Sequence, residues 1–416
     1  MKNTKLSLAL AGLLTLSTSA FADDKADIAE LKQQVKDLQE MTQTLTDETS
    51  NLQTGFNYTK ADSTKSHSGL GPAASKIYYS KSPLSIGGYG EMYYATTDTD
   101  GAALTAETQV KRFITYFGYK FSDNIILNAE VEYEGGGVVA GGSANTTTGD
   151  ISATGDEVVI EFMYLDFLQN KNFNLRVGNF LVPLGLTNQQ HEPTLFTTVQ
   201  RPKTSYYIIP TTWNESGVMA YGDIVNGLEY KVALLTALQP NDNGADKWLR
   251  QGRGSSFVVS NPRAAGVARV DYTGLNGLLI GTSLYADENM YMYDAHVDYK
   301  VGAARVYGTY AQTQRSITNP TISQVTASYG AYLNASYDIL SLIDSEKKLP
   351  LFVQYEKFNA QEKVSQGAPA NNDTENVSLG INFFPHEQVV LKADYVLSKT
   401  GTIHSNTASV SLGFIF

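Results

Sequence analysis

From Leu84 to the C-terminus the chain alternates apolar and polar residues with a period of two. Across 325–338, Val325, Ala327, Tyr329, Ala331, Leu333, Ala335 and Tyr337 fall on one face. Thr326, Ser328, Gly330, Tyr332, Asn334, Ser336 and Asp338 fall on the other. Val377, Leu379, Ile381 and Phe383 alternate in the same way with Asn376, Ser378, Gly380 and Asn382. This is the pattern of strands with one apolar face. Several runs reach about ten residues or more, the length of a tilted membrane-spanning strand. The pattern predicts about sixteen strands. They start near Ser85, Lys111, Ile125, Glu157, Phe173, Gly217, Glu229, Ala264, Leu278, Met290, Ala303, Gln324, Leu349, Thr374, Val389 and Asn406.

The connections alternate in length. Those after even-numbered strands are short, as at 122–124, 169–172, 223–227, 273–277, 301–302 and 385–388, with 339–348 the exception. Those after odd-numbered strands are longer and rich in Gly, Asn, Thr and Gln, as at 135–155, 239–262 and 360–373. An even strand count with short turns at one end and long loops at the other predicts an all-β fold. It is a sixteen-stranded antiparallel transmembrane β-barrel over 85–416.

The N-terminal part reads differently. Residues 1–22 carry Lys2 and Lys5, an apolar run from Leu6 to Leu16 and the small-x-small site Ala20-Phe21-Ala22, the layout of a secretory signal peptide. Residues 23–54 place Ile28, Val35, Thr42 and Thr49 at heptad a positions and Leu31, Leu38, Leu45 and Leu52 at d. That spacing predicts an α-helical coiled coil, and with it an oligomer. Residues 55–84, rich in Ser, Gly, Lys and Thr, read as a linker.

One connection breaks the barrel pattern. Residues 183–216 are far longer than a hairpin needs and are not low-complexity. They hold Pro183, Pro193, Pro202 and Pro210, the aromatics Phe196, Tyr206, Tyr207 and Trp213, and the charged or titratable His191, Glu192, Arg201 and Lys203. A stiffened loop with aromatics needs a surface to pack on, and long loops of this kind are commonly functional.

Charge and composition narrow the function. The formal net charge is −11 and no basic cluster stands out, so no nucleic-acid partner is expected. There is no Cys, which excludes disulfides and thiolate metal sites. The five histidines, His67, His191, His296, His386 and His404, adjoin no nucleophile motif, and no Walker loop or G-x-S-x-G is present. No enzyme activity, cofactor or metal is expected. A calcium site around Asp242 and Asp246 has no diagnostic spacing.

The last strand ends on an aromatic, with Ala408, Val410, Leu412, Phe414 and Phe416 on one face. The segment Leu175-Arg176-Val177-Gly178-Asn179-Phe180-Leu181-Val182-Pro183-Leu184-Gly185-Leu186 runs from a strand through Pro and Gly into the long loop. In these features 85–416 resembles the sixteen-stranded, trimeric bacterial outer-membrane porins of the phosphate-selective O/P type. The resemblance implies that loop 183–216 folds into a water-filled pore and constricts it. It implies a homo-oligomer, a trimer, in the outer membrane of a Gram-negative bacterium, with the coiled coil in the periplasm.

On that reading His191, Glu192, Arg201 and Lys203 lie at the constriction. Alternation puts Arg112, Arg176, Lys231, Arg269, Arg305 and Lys392 on the lumen wall, with Glu130, Glu132, Glu161, Asp271, Asp298, Glu356 and Asp394. The acids at least match the cations in number. The expectation is therefore passive diffusion of small hydrophilic solutes or ions, without phosphate specificity. The alternative is a structural anchor that joins a plugged barrel in outer-membrane lipid to the periplasm or cell wall through the coil.

Overall fold

A computed structural model of the chain describes residues 31–44, 61–62, 64–134, 157–254, 259–260, 262–369 and 372–416. The signal segment 1–22 and most of the expected coil lie outside the described residues. The chain divides into two units, Met1–Tyr58 and Thr59–Phe416. In the first unit residues 31–44 form a helix, α1. Its heptad residues Leu31, Val35 and Leu38 are all exposed.

The second unit is a barrel. Its strands are β1 (Leu84–Thr99), β2 (Thr105–Ser122), β3 (Ile125–Glu134), β4 (Glu157–Asn170), β5 (Phe173–Leu181), β6 (Asn214–Val225), β7 (Leu228–Thr236) and β8 (Ala264–Tyr272). The second half comprises β9 (Leu278–Ala286), β10 (Met290–Val301), β11 (Ala304–Arg315), β12 (Val325–Asp338), β13 (Pro350–Val364), β14 (Thr374–His386), β15 (Val389–Thr400) and β16 (Ile403–Ile415). Each pairs antiparallel with its sequence neighbours, and β1 closes on β16 in the register Gly90↔Phe414. The closed antiparallel barrel of sixteen strands matches the expectation.

Burial is inverted relative to a soluble core. On β16, Ser409 and Ser411 are buried while Val410 between them is 52% exposed. On β8, Arg269 and Asp271 are buried and Val270 is exposed. The outward band is apolar, with Val232, Leu234, Ile280, Leu284, Leu333, Val353 and Leu379 all exposed. Tyr119, Tyr272, Tyr299 and Tyr337 are exposed near the short-turn end, and Tyr94, Tyr133, Tyr291 and Tyr310 nearer the long-loop end. An apolar belt between two aromatic girdles is what a lipid-facing barrel wall presents. Closure satisfies every strand edge, which hydrocarbon requires.

The stretch expected to be a linker, 55–84, is not one over its described part. It carries helix α2 (Pro72–Tyr79), which packs inside the barrel near the short turns. Pro at the first turn suits a helix start. Ile77 of α2 sits against Gly118 of β2, where a Cβ would overlap it. Asn128 Nδ2 on β3 donates to Ala74 O at 2.9 Å. The Ser- and Gly-rich composition read as a linker is instead small enough to fit a crowded lumen.

Candidate pore and its charged vestibule

The connection between β5 and β6, residues 182–213, ends three residues before the predicted boundary, because β6 starts at Asn214. It crosses the lumen and bonds to strands around the wall. Gly185 N donates to Asp294 Oδ2 on β10 (3.0 Å) and Thr197 N to Tyr307 Oη on β11 (3.0 Å). Val199 N donates to Asp394 Oδ2 on β15 (2.7 Å) and Thr204 N to Glu356 Oε1 on β13 (2.7 Å). Wall cations serve its carbonyls. Arg269 reaches Gly185 O, Arg305 reaches Leu195 O, and Lys392 reaches Phe196 O and Thr198 O, all between 2.5 and 3.0 Å. An irregular segment has no ladder of its own, so its buried N–H and C=O groups need these side-chain partners.

Arg112, Arg176, Lys231, Arg269, Lys392, Glu130, Glu132, Asp298 and Glu356 are buried, and Arg305 is partly so. Most are tied up. Arg176 makes a bidentate pair with Asp166 (2.8 Å twice), which also accepts from Tyr78 of α2 (2.5 Å). Lys231 and Arg269 share Asp271 (3.1 and 2.7 Å), and Arg305 grips Asp298 (2.8 Å). Such pairs position the loop and α2 rather than face a solute.

The four loop residues separate into two pairs. His191 and Glu192 are 2% and 1% exposed. Glu192 accepts from Ala73 N (3.0 Å) and Ala74 N (3.1 Å), capping the start of α2. Burial pushes its carboxyl up to about 7 against the pull of those N–H groups. Burial, helped by Arg201, pulls the His191 imidazole down to about 3. Arg201 is also buried, donating to His191 O (3.0 Å) and Tyr89 Oη (3.3 Å), whereas Lys203 is exposed.

Arg201 and Lys203 border two adjoining cavities of about 240 and 520 Å³ toward the long-loop end. The larger carries six cations, Lys111, Arg112, Arg201, Lys203, Lys247 and Arg250, against two acids, Glu107 and Glu134. A third cavity, of about 320 Å³, opens near the short turns beside Leu195, Pro72 and Asp298.

Three of the vestibule cations escaped sequence reasoning. In β2 the register slips opposite Glu91/Met92, a bulge that brings adjacent Lys111 and Arg112 both to the lumen side. Strict alternation sends one of two neighbours outward. Lys247 and Arg250 belong to the β7–β8 connection, which folds inward on Trp248, whose Nε1 donates to Ala360 O (2.8 Å). Arg250 and Arg253 both donate to Thr211 O (3.0 and 2.9 Å), fastening this connection to the long loop. Burial beside Arg253 pulls Arg250 down to about 9. Trp248, a large aromatic within a polar connection, was the available signal. Asp242 is committed to Arg315 (2.5 Å) and Asp246 accepts from Gln361 (2.8 Å) and Asn372 (2.7 Å), so each has protein partners.

No protein-family model matches the chain. Among solved structures it resembles the anion-selective porin from Comamonas acidovorans, with a TM-score of 0.54, 12% identity, and coverage of 80% of this chain and 99% of that one. It also resembles the outer-membrane channel DcaP of Acinetobacter baumannii, with a TM-score of 0.52, 12% identity, and coverage of 81% and 99%. OmpF of Salmonella typhi gives a TM-score of 0.53, 10% identity, and coverage of 80% and 97%. At these identities the likeness is one of fold, and the fold is that of outer-membrane porins. In sequence, an uncharacterized protein of Aquifex aeolicus (strain VF5) is 34% identical over 368 residues, covering 80% of this chain and 79% of that protein. The chain belongs to the same family as this Aquifex aeolicus protein, and it has the porin barrel fold.

Proposed function

We propose that the protein is an outer-membrane porin for passive diffusion of small anionic solutes. The observation that carries this reading is the vestibule of six cations and two acids between the inward loop and the long-loop rim. A field of one sign in a low-dielectric cleft concentrates counter-ions, and rings of charge set selectivity in wide pores. Lys203 and Lys247, the exposed members, act on the solute, and Arg201 stiffens the loop beneath them. Phosphate is one such anion, but nothing in the vestibule is built for it alone. The exposed heptad stripe of α1 supports assembly through a periplasmic coil, and the resemblance to trimeric porins supports three chains.

Swelling of proteoliposomes in isotonic solutes tests the reading. Faster swelling with a small organic anion than with an organic cation of equal size is expected. Equal rates, or none, would remove it. The anchor reading draws on a different observation: residues of α2 and the long loop pack with wall residues in one buried cluster. It requires that no solute of any charge causes swelling.

A further inference from the structure

A group of buried side chains under the long loop lies outside the two cavities at the long-loop end. Glu130 on β3, Glu161 on β4 and His191 on the loop bring one ligand atom each to within 4.8 Å of one another, and all three residues are buried. Both carboxylate oxygens of Glu130, Oε2 of Glu161 and Nε2 of His191 have no hydrogen-bond partner. Glu130 is 0% exposed. Among the described residues the ion pair within reach of Glu130 is His191 itself, at 3.6 Å, and Arg112 is spent on Glu91 and Glu132, at 3.7 Å each. Arg201 and Arg112 act on these carboxylates only at a distance, and two carboxylates buried without donors are costly unless something else neutralises them.

The local backbone is arranged to make this meeting. The β3–β4 register slips between Glu130 and Val131: Glu130 pairs with Phe162 and Val131 with Ile160, leaving Glu161 as the extra residue of a bulge. Phe162 points inward, so regular alternation would send Glu161 into lipid. The bulge turns it to the lumen beside Glu130, which is a recurrent use of bulges. The third side chain is oriented just as firmly. His191 Nδ1 lies 2.8 Å from Asn188 O. A carbonyl only accepts, so Nδ1 carries the proton and Nε2 offers a lone pair toward Glu130. Asn188 is itself fixed, donating to Val182 O (2.8 Å) and Trp213 O (2.9 Å) and accepting from Trp213 N (2.8 Å). A histidine whose second nitrogen is held by a backbone carbonyl is the usual arrangement of a metal ligand.

We propose that Glu130, Glu161 and His191 bind a divalent first-row transition ion of the zinc type, which rivets the long loop to the barrel wall. Two carboxylate oxygens and one imidazole nitrogen match such an ion better than calcium or magnesium, which favour oxygen-only shells. Glu132, on the same face of β3, is held by Arg112 through Oε1 (3.7 Å) and stays outside this ligand set. The ion supplies the missing positive charge and displaces any proton shared between the carboxyls.

The test uses the full mature chain folded in detergent with zinc, then dialysed free of loose metal. About one zinc per chain should remain by elemental analysis, as expected for a closed structural site. Replacing it with cobalt(II) should give a visible d–d spectrum of nitrogen–oxygen ligation. Glu130→Gln should weaken zinc binding by more than the about 10–100-fold that outer-shell changes cause. A folded, heat-modifiable barrel that retains no zinc and shows no cobalt band would overturn the proposal and leave proton sharing between the carboxyls. Zinc retained equally by Glu130→Gln and by His191→Gln would also overturn it, since the metal would then sit elsewhere. Neither result bears on solute selectivity, which is read from the vestibule.

Discussion

Glu192 shows what a single charge does inside this lumen. Its carboxylate closes the first turn of α2 by accepting from Ala73 N and Ala74 N, and the site is so close that a Cβ at Gly71 would overlap it. The first N–H groups of a helix have no partners of their own, and the helix dipole adds to the attraction of an anion there. Glu192→Ala should therefore loosen the lumen segment by about 1–2 kcal/mol, the usual scale for losing an N-terminal cap. Hydrogen exchange over 72–79 should report it, with strand protection unchanged, and unchanged exchange in α2 would contradict the role. The sequence marked Glu192 as noteworthy through its loop, but its partner was not legible. Ala73 and Ala74 lie almost 120 residues upstream, in a stretch whose small residues carry no periodic signal. His191 and Glu161 were both visible as candidates, but Glu161 reaches the lumen through a bulge rather than through the strict alternation that placed it there.

At the scale of elements, strands were legible and lumen contents were not. A strand facing lipid on one side and a polar lumen on the other must alternate, so β3, β4, β5, β8, β9, β10, β14 and β15 begin at the predicted residues. β2 begins at Thr105 rather than Lys111, because its first residues at the long-loop end, Thr105–Val110, rise beyond the regular pattern and are exposed. Loop and plug conformations depend on contacts across the barrel, which no local period encodes. The plug carries its own pH dependence. His67 stacks on Tyr78 with ring centroids 3.6 Å apart and lies 3.1 Å from Tyr221 Oη. Burial, with Arg176 and Lys231 adding to it and Asp166 opposing, pulls it from 6.5 down to about 4. A docked state with the lower value favours neutral imidazole, so the docking contribution is complete above about 6.5 and is lost as pH falls toward about 4. Single-channel current should become noisier or larger at about pH 5 than at about pH 7.5 as the plug loosens, and His67→Gln should shrink the difference. An identical pH response in that variant would place the sensor elsewhere.

The whole molecule combines an apolar outer belt, a lumen crossed by a wall-bonded loop and a plug helix, and a basic vestibule on the long-loop side. The overall charge of −11 gave no hint of that vestibule, because the net charge sums over surfaces that the solute never meets. The six cations converge from β2, the long loop and the β7–β8 connection, so their sign dominance exists only in the folded chain. In the proposed pore, passage occurs beside the loop, and the ion preference proposed for it follows from the exposed ammonium groups rather than from the paired wall charges. The most direct measurement is the reversal potential of the purified protein in a planar bilayer under a KCl gradient, compared with the Lys203→Ala/Lys247→Ala double variant. The structure predicts stepwise conductance with a reversal potential on the chloride side, falling toward zero in the variant. A cation-selective or silent wild-type barrel, folded and inserted, would contradict it.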